Sequence, residues 1–180
     1  MNPQEVIDYW YSDQVRSQWF SSTPELDAEI RSKYETVWER AVEGELDGWK
    51  KDALGSLALV LIFDQFPLNM FRGEAKSFKT EGDAIEVARA SINNGFVPQL
   101  NDEQLSFLFM PFMHSEKIED QDLAVKLFRE NELEGNLEFA KHHRDIIRKF
   151  GRFPHRNRIL GRESTVKELE YLGSKGSFNG

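Results

Sequence analysis

Residues 53–63 read Ala-Leu-Gly-Ser-Leu-Ala-Leu-Val-Leu-Ile-Phe, apolar on nearly every side of a helix. A helix without a polar face has to be surrounded by other elements, so a helix over residues 52–66 is expected at the centre of the fold. Its longest unbroken apolar run, residues 57–63, is far too short to cross a bilayer. Pro67 is expected to end it, because the residue before a proline is pushed out of helical geometry.

The surrounding segments also carry helical periodicity, and period-2 strand patterns are missing. Asn2-Pro3 with Glu5 starts one helix. Thr23-Pro24-Glu25 starts a longer one, with Leu26, Ile30, Tyr34, Val37, Trp38 and Ala41 on one face and Gly44 as its stop. Thr80 is expected to cap a helix reaching about Asn94, before Gly95. Asn101-Asp102-Glu103 starts the next, which Pro111 is expected to kink or shorten. Leu123, Val125, Leu127 and Phe128 mark a further helix after the acidic residues 119–122. A long helix follows over about residues 132–149, and Ser164 with Glu168 caps a short last one. The short connections predict that neighbours pack as antiparallel hairpins. The expected fold is therefore all-α, an irregular stack of antiparallel helical hairpins, with a closed bundle as the alternative. Residues 1–172 are expected to form a single helical domain and residues 173–180 a flexible Gly/Ser-rich tail.

Charge is distributed unevenly. The chain holds 23 Lys and Arg against 31 Asp and Glu, a net charge of −8, which argues against a general nucleic-acid or membrane-surface role. Yet eight of the basic residues and only one acid, Asp145, fall within residues 141–162, so the remainder carries −15. Three of the four histidines lie there too. There is no cysteine, which excludes disulfides, thiolate nucleophiles and thiolate metal sites and suits a reducing cytoplasm. The opening MNPQEVIDYW is neither basic nor a long apolar run, so no signal peptide is expected, and the expectation is a cytoplasmic protein.

Three stretches place ionisable groups next to the expected core. In Leu-Ile-Phe-Asp-Gln-Phe-Pro, Asp64 sits at the unfavourable end of a helix dipole and needs partners. Either it ties the following turn to an Arg, or Asp64 and Gln65 line a pocket wall with Arg72 nearby. His114, at a helix end, is either a cap or a pocket group. Phe139, His143, Ile146 and Phe150 share one helical stripe, which makes His143 a core residue or a general base, while His142 faces elsewhere. Arg144 is added to the binding candidates from the same helix. After Gly151, Pro154 stiffens a turn that projects Arg152, His155 and Arg156. Guanidinium groups on a rigid turn suit bidentate recognition of carboxylate or phosphate, or form an internal latch to the acidic remainder. Both readings stay open.

The segments LIFDQFPLNMFRG, MPFMHSE and HRDIIRKFGRFPHRNRILGR, together with EVIDYWY and Trp19-Phe20, resemble the bacterial family called domain of unknown function 924. The resemblance covers nearly the whole chain. It implies an all-α fold similar to tetratricopeptide-type hairpins, marks His143 rather than His142 as the family's histidine, and implies no activity. Leu68 stands where the family typically has Arg, one positive group fewer near a binding site.

The expected function is an anionic small-molecule site, for a phosphate or carboxylate, where the three motifs converge. Its candidate residues are Asp64 and His143 for chemistry, and Gln65, Arg72, His114, Arg144, Arg152, His155 and Arg156 for binding. The alternative is a protein- or peptide-binding helical scaffold. RNA binding through the basic stretch is disfavoured by the −15 elsewhere. No cofactor or metal is expected: four histidines, two of them adjacent and facing apart, make a poor ligand set. No serine elbow, phosphate-cradling glycine loop or HExxH is present, so whether any reaction occurs is left open.

Overall fold

Pro67 does not end the central helix. A computed structural model describes residues 1–178, and in it the apolar run forms α4 (Ala53–Val60), a π-helical turn (Leu61–Gln65) and the short helix α5 (Phe66–Met70) in direct succession. The Phe66 amide donates to the Leu61 carbonyl, five residues back. Pro67 has no amide hydrogen for the Phe63 carbonyl four residues before it. That carbonyl instead accepts from the Thr80 hydroxyl at 2.7 Å, and the same hydroxyl accepts from the Trp38 indole at 3.0 Å. A wider turn and an outside donor let the chain pass through proline without leaving a buried acceptor unmet.

The chain divides into two compact units. The first comprises Met1–Arg72 and Lys76–Pro111. It contains α1 (Pro3–Trp10), α2 (Asp13–Arg16) and α3 (Pro24–Val42), then α4, α5, α6 (Glu81–Asn93) and most of α7 (Asp102–His114). Asn2 and Glu5 make the reciprocal capping box of α1, and Thr23 caps α3 with its hydroxyl. All six residues expected on the α3 face are buried. Thr80 precedes α6 without a side-chain capping bond, because its hydroxyl is committed to Phe63. α4 packs on α1 and α6, and α3 packs on α5 and on the π-turn. Gly55 has to be glycine, since a Cβ there would collide with the Trp49 carbonyl. The 18 residues Ala53–Met70 reach the length and hydropathy of a membrane span, which the run 57–63 alone does not, but 83% of the segment is buried inside the fold. It is the unit's core helix.

The second unit comprises Gly73–Ala75 and the described residues from Phe112 onward. α7 is not shortened at Pro111 and runs on to His114. α8 (Ile118–Glu130) and α9 (Glu134–Phe150) pack as a hairpin, joined through Glu132 in the left-handed region (φ 57°). The acidic residues 119–122 lie inside α8 rather than before it, since Glu119 and Asp120 in its first turn complement the helix dipole. α9 ends on Gly151 at φ 71°. The last helix, α10 (Val166–Leu172), is capped by Thr165 rather than Ser164. Thr165 stands three residues before Glu168, the spacing a capping box needs. Of the tail expected to be flexible, residues 179–180 lie outside the described residues, and Phe178 packs on the second unit. Among the described residues there is no strand, so the fold is all-α.

Candidate functional site

All four histidines of the chain belong to the second unit, and three of them surround one phenyl ring. α9 supplies His142 and His143. His143 is only 4% exposed, and its Nδ1 lies 2.8 Å from the Phe139 carbonyl one turn back. A carbonyl can only accept, so the proton sits on Nδ1 and the Nε2 lone pair points to the far side of the ring. A backbone carbonyl, rather than a carboxylate, thus orients the His143 ring. The αL turn at Gly151 then reverses the chain. Phe153 drops into the core, and a 3₁₀ turn over Pro154–Arg156 presents His155 and Arg156.

Phe153 is the floor of the site. Its ring lies 5.5 Å from His143 and 5.6 Å from His155, and the Arg156 guanidinium stands 4.7 Å over it. Phe178 closes the other side, 4.5 Å from His143, 5.0 Å from His155 and 6.5 Å from His142. Burial pushes the His143 pKa down to about 4, with the other three histidines adding repulsion against the Phe139 hydrogen bond. Burial also pushes His155 down to about 4, helped by Arg156. Both rings are neutral at pH 7. Among the described residues the buried Nδ1 of His155 has no hydrogen-bond partner. An open groove of about 330 Å³, lined by Glu138, Phe139, His142, Ser177 and Phe178, runs alongside.

Much of the surrounding positive charge is already paired. Arg152 makes a bidentate contact to Glu168 (2.7 and 2.9 Å) and also donates to the Glu163 carbonyl. Arg162 makes another to Glu116 (2.7 and 2.9 Å), whose carboxylate also accepts from the Phe153 amide. Burial works to raise the Glu116 pKa, but Arg162 and that amide outweigh it and the net shift is downward. Arg144 and Arg148 share Asp122. Arg156 is buried and donates to the His114 carbonyl at 2.8 Å, so His114 contributes its backbone here. The internal latch therefore describes Arg152, Arg162, Arg144 and Arg148, and the Arg156 charge also acts on Glu116, whose pKa it helps to lower. Asp145, within the same basic stretch, takes no part in these pairs.

Asp64, Gln65 and Arg72 belong to the first unit. Gln65 donates to Asp64 and to the Met110 sulfur, all within the buried core. The acid that holds Arg72 is Asp27, not Asp64: Arg72 grips it at 2.6 and 3.1 Å, and Asn69 donates to it at 2.7 Å. Burial would raise the Asp27 pKa, and the bonds from Arg72, Asn69 and Ser22 bring it down instead. The stripe Phe139–His143–Ile146–Phe150 is also corrected, because Phe139 is 62% exposed and the buried face of α9 runs through Leu137, Ala140, His143, Ile146 and Ile147. Sequence reasoning missed Glu116 and Phe178, and read Glu168 only as a helix cap. Glu116 had a signal, since it closes the quoted MPFMHSE segment, and Glu168 had the capping-box spacing. Phe178 had none. Among the described residues no three His, Asp or Glu side chains gather closely enough to hold a metal ion.

These features define an all-α protein whose second unit gathers neutral imidazoles, two phenyl rings and a buried guanidinium around the turn after its longest helix. The chain belongs to the family described as bacterial protein of unknown function (DUF924), whose model matches residues 6–176, the family to which the three motifs point. It is similar to a solved structure, that of the protein of unknown function ATU0120 from Agrobacterium tumefaciens, with 37% identity and a TM-score of 0.90 over 95% of this chain and 96% of that one. No curated protein matches the chain.

Proposed function

We propose that the second unit binds a small anionic molecule, a phosphate or carboxylate, at the face where His143, His155 and Arg156 meet. One observation carries this reading: the buried Nδ1 of His155 has no partner among the described residues, on a ring that feels the charge of the neighbouring Arg156. Leaving a buried polar atom unmet costs about 1–3 kcal/mol, and native folds seldom tolerate it without a reason. With its proton on Nδ1, a neutral His155 donates to an anion oxygen, and Arg156 supplies the countercharge. The paired Arg152 and Arg162 hold the turn in shape rather than contact the ligand. Binding is the extent of the proposal. A His143 with a pKa of about 4 is a weak base at neutral pH, so the site offers little driving force for proton abstraction.

A thermal-shift panel of inorganic phosphate, phosphate monoesters and carboxylates tests it. A ligand that binds only the native state raises its melting temperature by mass action. The shift should shrink as salt is raised and be lost in His155→Ala. A panel without any shift, or a shift that survives in folded His155→Ala, overturns the proposal.

A further inference from the structure

Phe178 follows α10 outside any helix, and it is half-buried after the exposed residues 173–176. It meets His143 at 61°, His142 at 72° and His155 at 81°, edge-to-face in each case. Rings adopt this geometry because the positive edge of one faces the negative face of another. A slot walled by three imidazoles and floored by Phe153 is thus shaped for a flat aromatic ring, and the chain's own phenyl fills it.

The segment that delivers this ring leaves α10 through turn hydrogen bonds, from the Ser174 amide to the Tyr171 carbonyl and from the Ser177 amide to the Ser174 carbonyl. Residues 173–176 are exposed, and the Phe178 amide makes one hydrogen bond, to the Tyr171 hydroxyl at 2.9 Å. The groove lined by Glu138, Phe139, His142 and Ser177 opens directly onto the ring and gives it somewhere to go. His155, whose ring lies 5.0 Å from Phe178, carries the unpartnered Nδ1, and the Arg156 guanidinium stands over the Phe153 ring that His155 also packs on. A ring position and an anion position are therefore adjacent, and the ring position is held by an exchangeable side chain.

Building on the anion reading above, we infer that the ligand is an aromatic acid, an aryl carboxylate or aryl phosphate. Its ring takes the place of Phe178 while its acid group reaches His155 and Arg156. Phe178 is then a built-in competitor for the ring alone: the ring position is open only in the fraction of molecules whose phenyl has left, and apparent affinity for an aryl acid falls by that fraction.

Calorimetric titration of the full chain and of Phe178→Ala tests this with phenyl phosphate, inorganic phosphate, benzoate and cyclohexanecarboxylate as probes. The aryl acids should bind about tenfold more tightly than their ring-free or non-aromatic counterparts, the worth of one good ring contact. Phe178→Ala should tighten the aryl acids by about fivefold or more, as expected for removal of an occluding group, and leave inorganic phosphate unchanged. Phe178→Leu, which keeps the slot partly filled, should fall between the two and guards against a collapse in the Ala variant. If phenyl phosphate binds no better than inorganic phosphate, or neither Phe178 variant tightens the aryl acids, the aryl inference is overturned while the anion reading stands. If no probe binds any variant, both fall. A benzoate response without a phenyl phosphate response assigns the carboxylate form, and the converse assigns the phosphate.

Discussion

The Thr80 hydroxyl donates at 2.7 Å to the Phe63 carbonyl, the acceptor that Pro67 leaves without its helical partner. Thr80 lies 17 residues from Phe63 along the chain and also accepts the indole proton of Trp38. One side chain thereby satisfies a buried acceptor on the core helix and a buried donor on α3.

Replacing Thr80 with Val keeps its shape and removes both bonds. Two buried groups are then left unmet, and the expected loss is about 2–4 kcal/mol, since each costs about 1–3 and the fold relaxes in part. Urea denaturation reads this directly. Pro67→Ala in the Thr80→Val background restores an amide donor at Phe63 and should recover part of the loss. A loss under about 0.5 kcal/mol, the range of ordinary surface substitutions, would mean that water replaces the hydroxyl.

Glu116 organises the turn that carries His155. It takes two hydrogen bonds from Arg162 and one from the Phe153 amide. Glu116→Ala leaves the Phe153 amide unmet and the Arg162 guanidinium without its carboxylate, held only by the Asn157 side chain and the Phe153 carbonyl, at a cost of about 1–3 kcal/mol. The sharper readout is local: the Phe153 amide should lose its hydrogen-exchange protection, while amides in α1, α3 and α4 keep theirs. Uniform loss across both units would assign Glu116 to global stability instead.

Glu168 links the acid stability of the fold to Arg152. The Arg152 guanidinium, with the Thr165 amide and hydroxyl, holds its pKa down to about 2 from the ordinary 4.5. As pH falls below 4.5, the unfolded chain takes up this proton before the folded one does, so stability is lost progressively between about 4.5 and 2. Glu168→Gln should flatten that limb of the stability–pH curve. It also removes the carboxylate of the α10 capping box, worth about 1 kcal/mol at any pH. An unchanged acid limb would show that Arg152 and Glu168 do not hold together in solution.

How much of this was legible in the sequence depends on the range of the interaction. Asn2, Glu5 and Thr23 were readable because a cap acts over three residues. The buried face of α3 was readable because Leu26, Ile30, Tyr34, Val37, Trp38 and Ala41 repeat with the helix period. Pro67 and Thr80 were not, because passing through a proline depends on a donor 17 residues away. The α9 stripe was half readable: periodicity alone fits a face through Phe139 as well as one through Leu137, and tertiary packing chose the latter. The pairing of the basic stretch was equally hidden, since Arg162 finds Glu116 at a separation of 46 residues. Its charge excess signalled that acids must be near without saying which.

The two neutral histidines make a prediction that their neighbours cannot imitate. His143 and His155 both lie at a pKa of about 4 in the folded chain, against 6.5 for an ordinary imidazole. The carbonyl of Phe139, the guanidinium of Arg156 and the other histidines all face these rings. Glu116 and Arg162 act on His155 alone, the carboxylate against the shift and the guanidinium with it. The unfolded chain protonates first as pH drops through 6.5, so stability is present above that value and is lost as pH falls towards 4. This window lies above that of Glu168, and the two limbs are separable in one pH series. In an NMR titration the ring protons of His143 and His155 should stay at their neutral positions through pH 5. Midpoints above 6 for both would show that the cluster is open to water and that Phe178 does not cover it. His143→Asn should remove about half of the loss between pH 6.5 and 4, since the two rings contribute in parallel and carry similar shifts. A bound aryl acid should move the remaining midpoints upward, because an anion beside an imidazole favours its charged form. Midpoints that stay in place while the ligand binds would put the anion beyond reach of both rings.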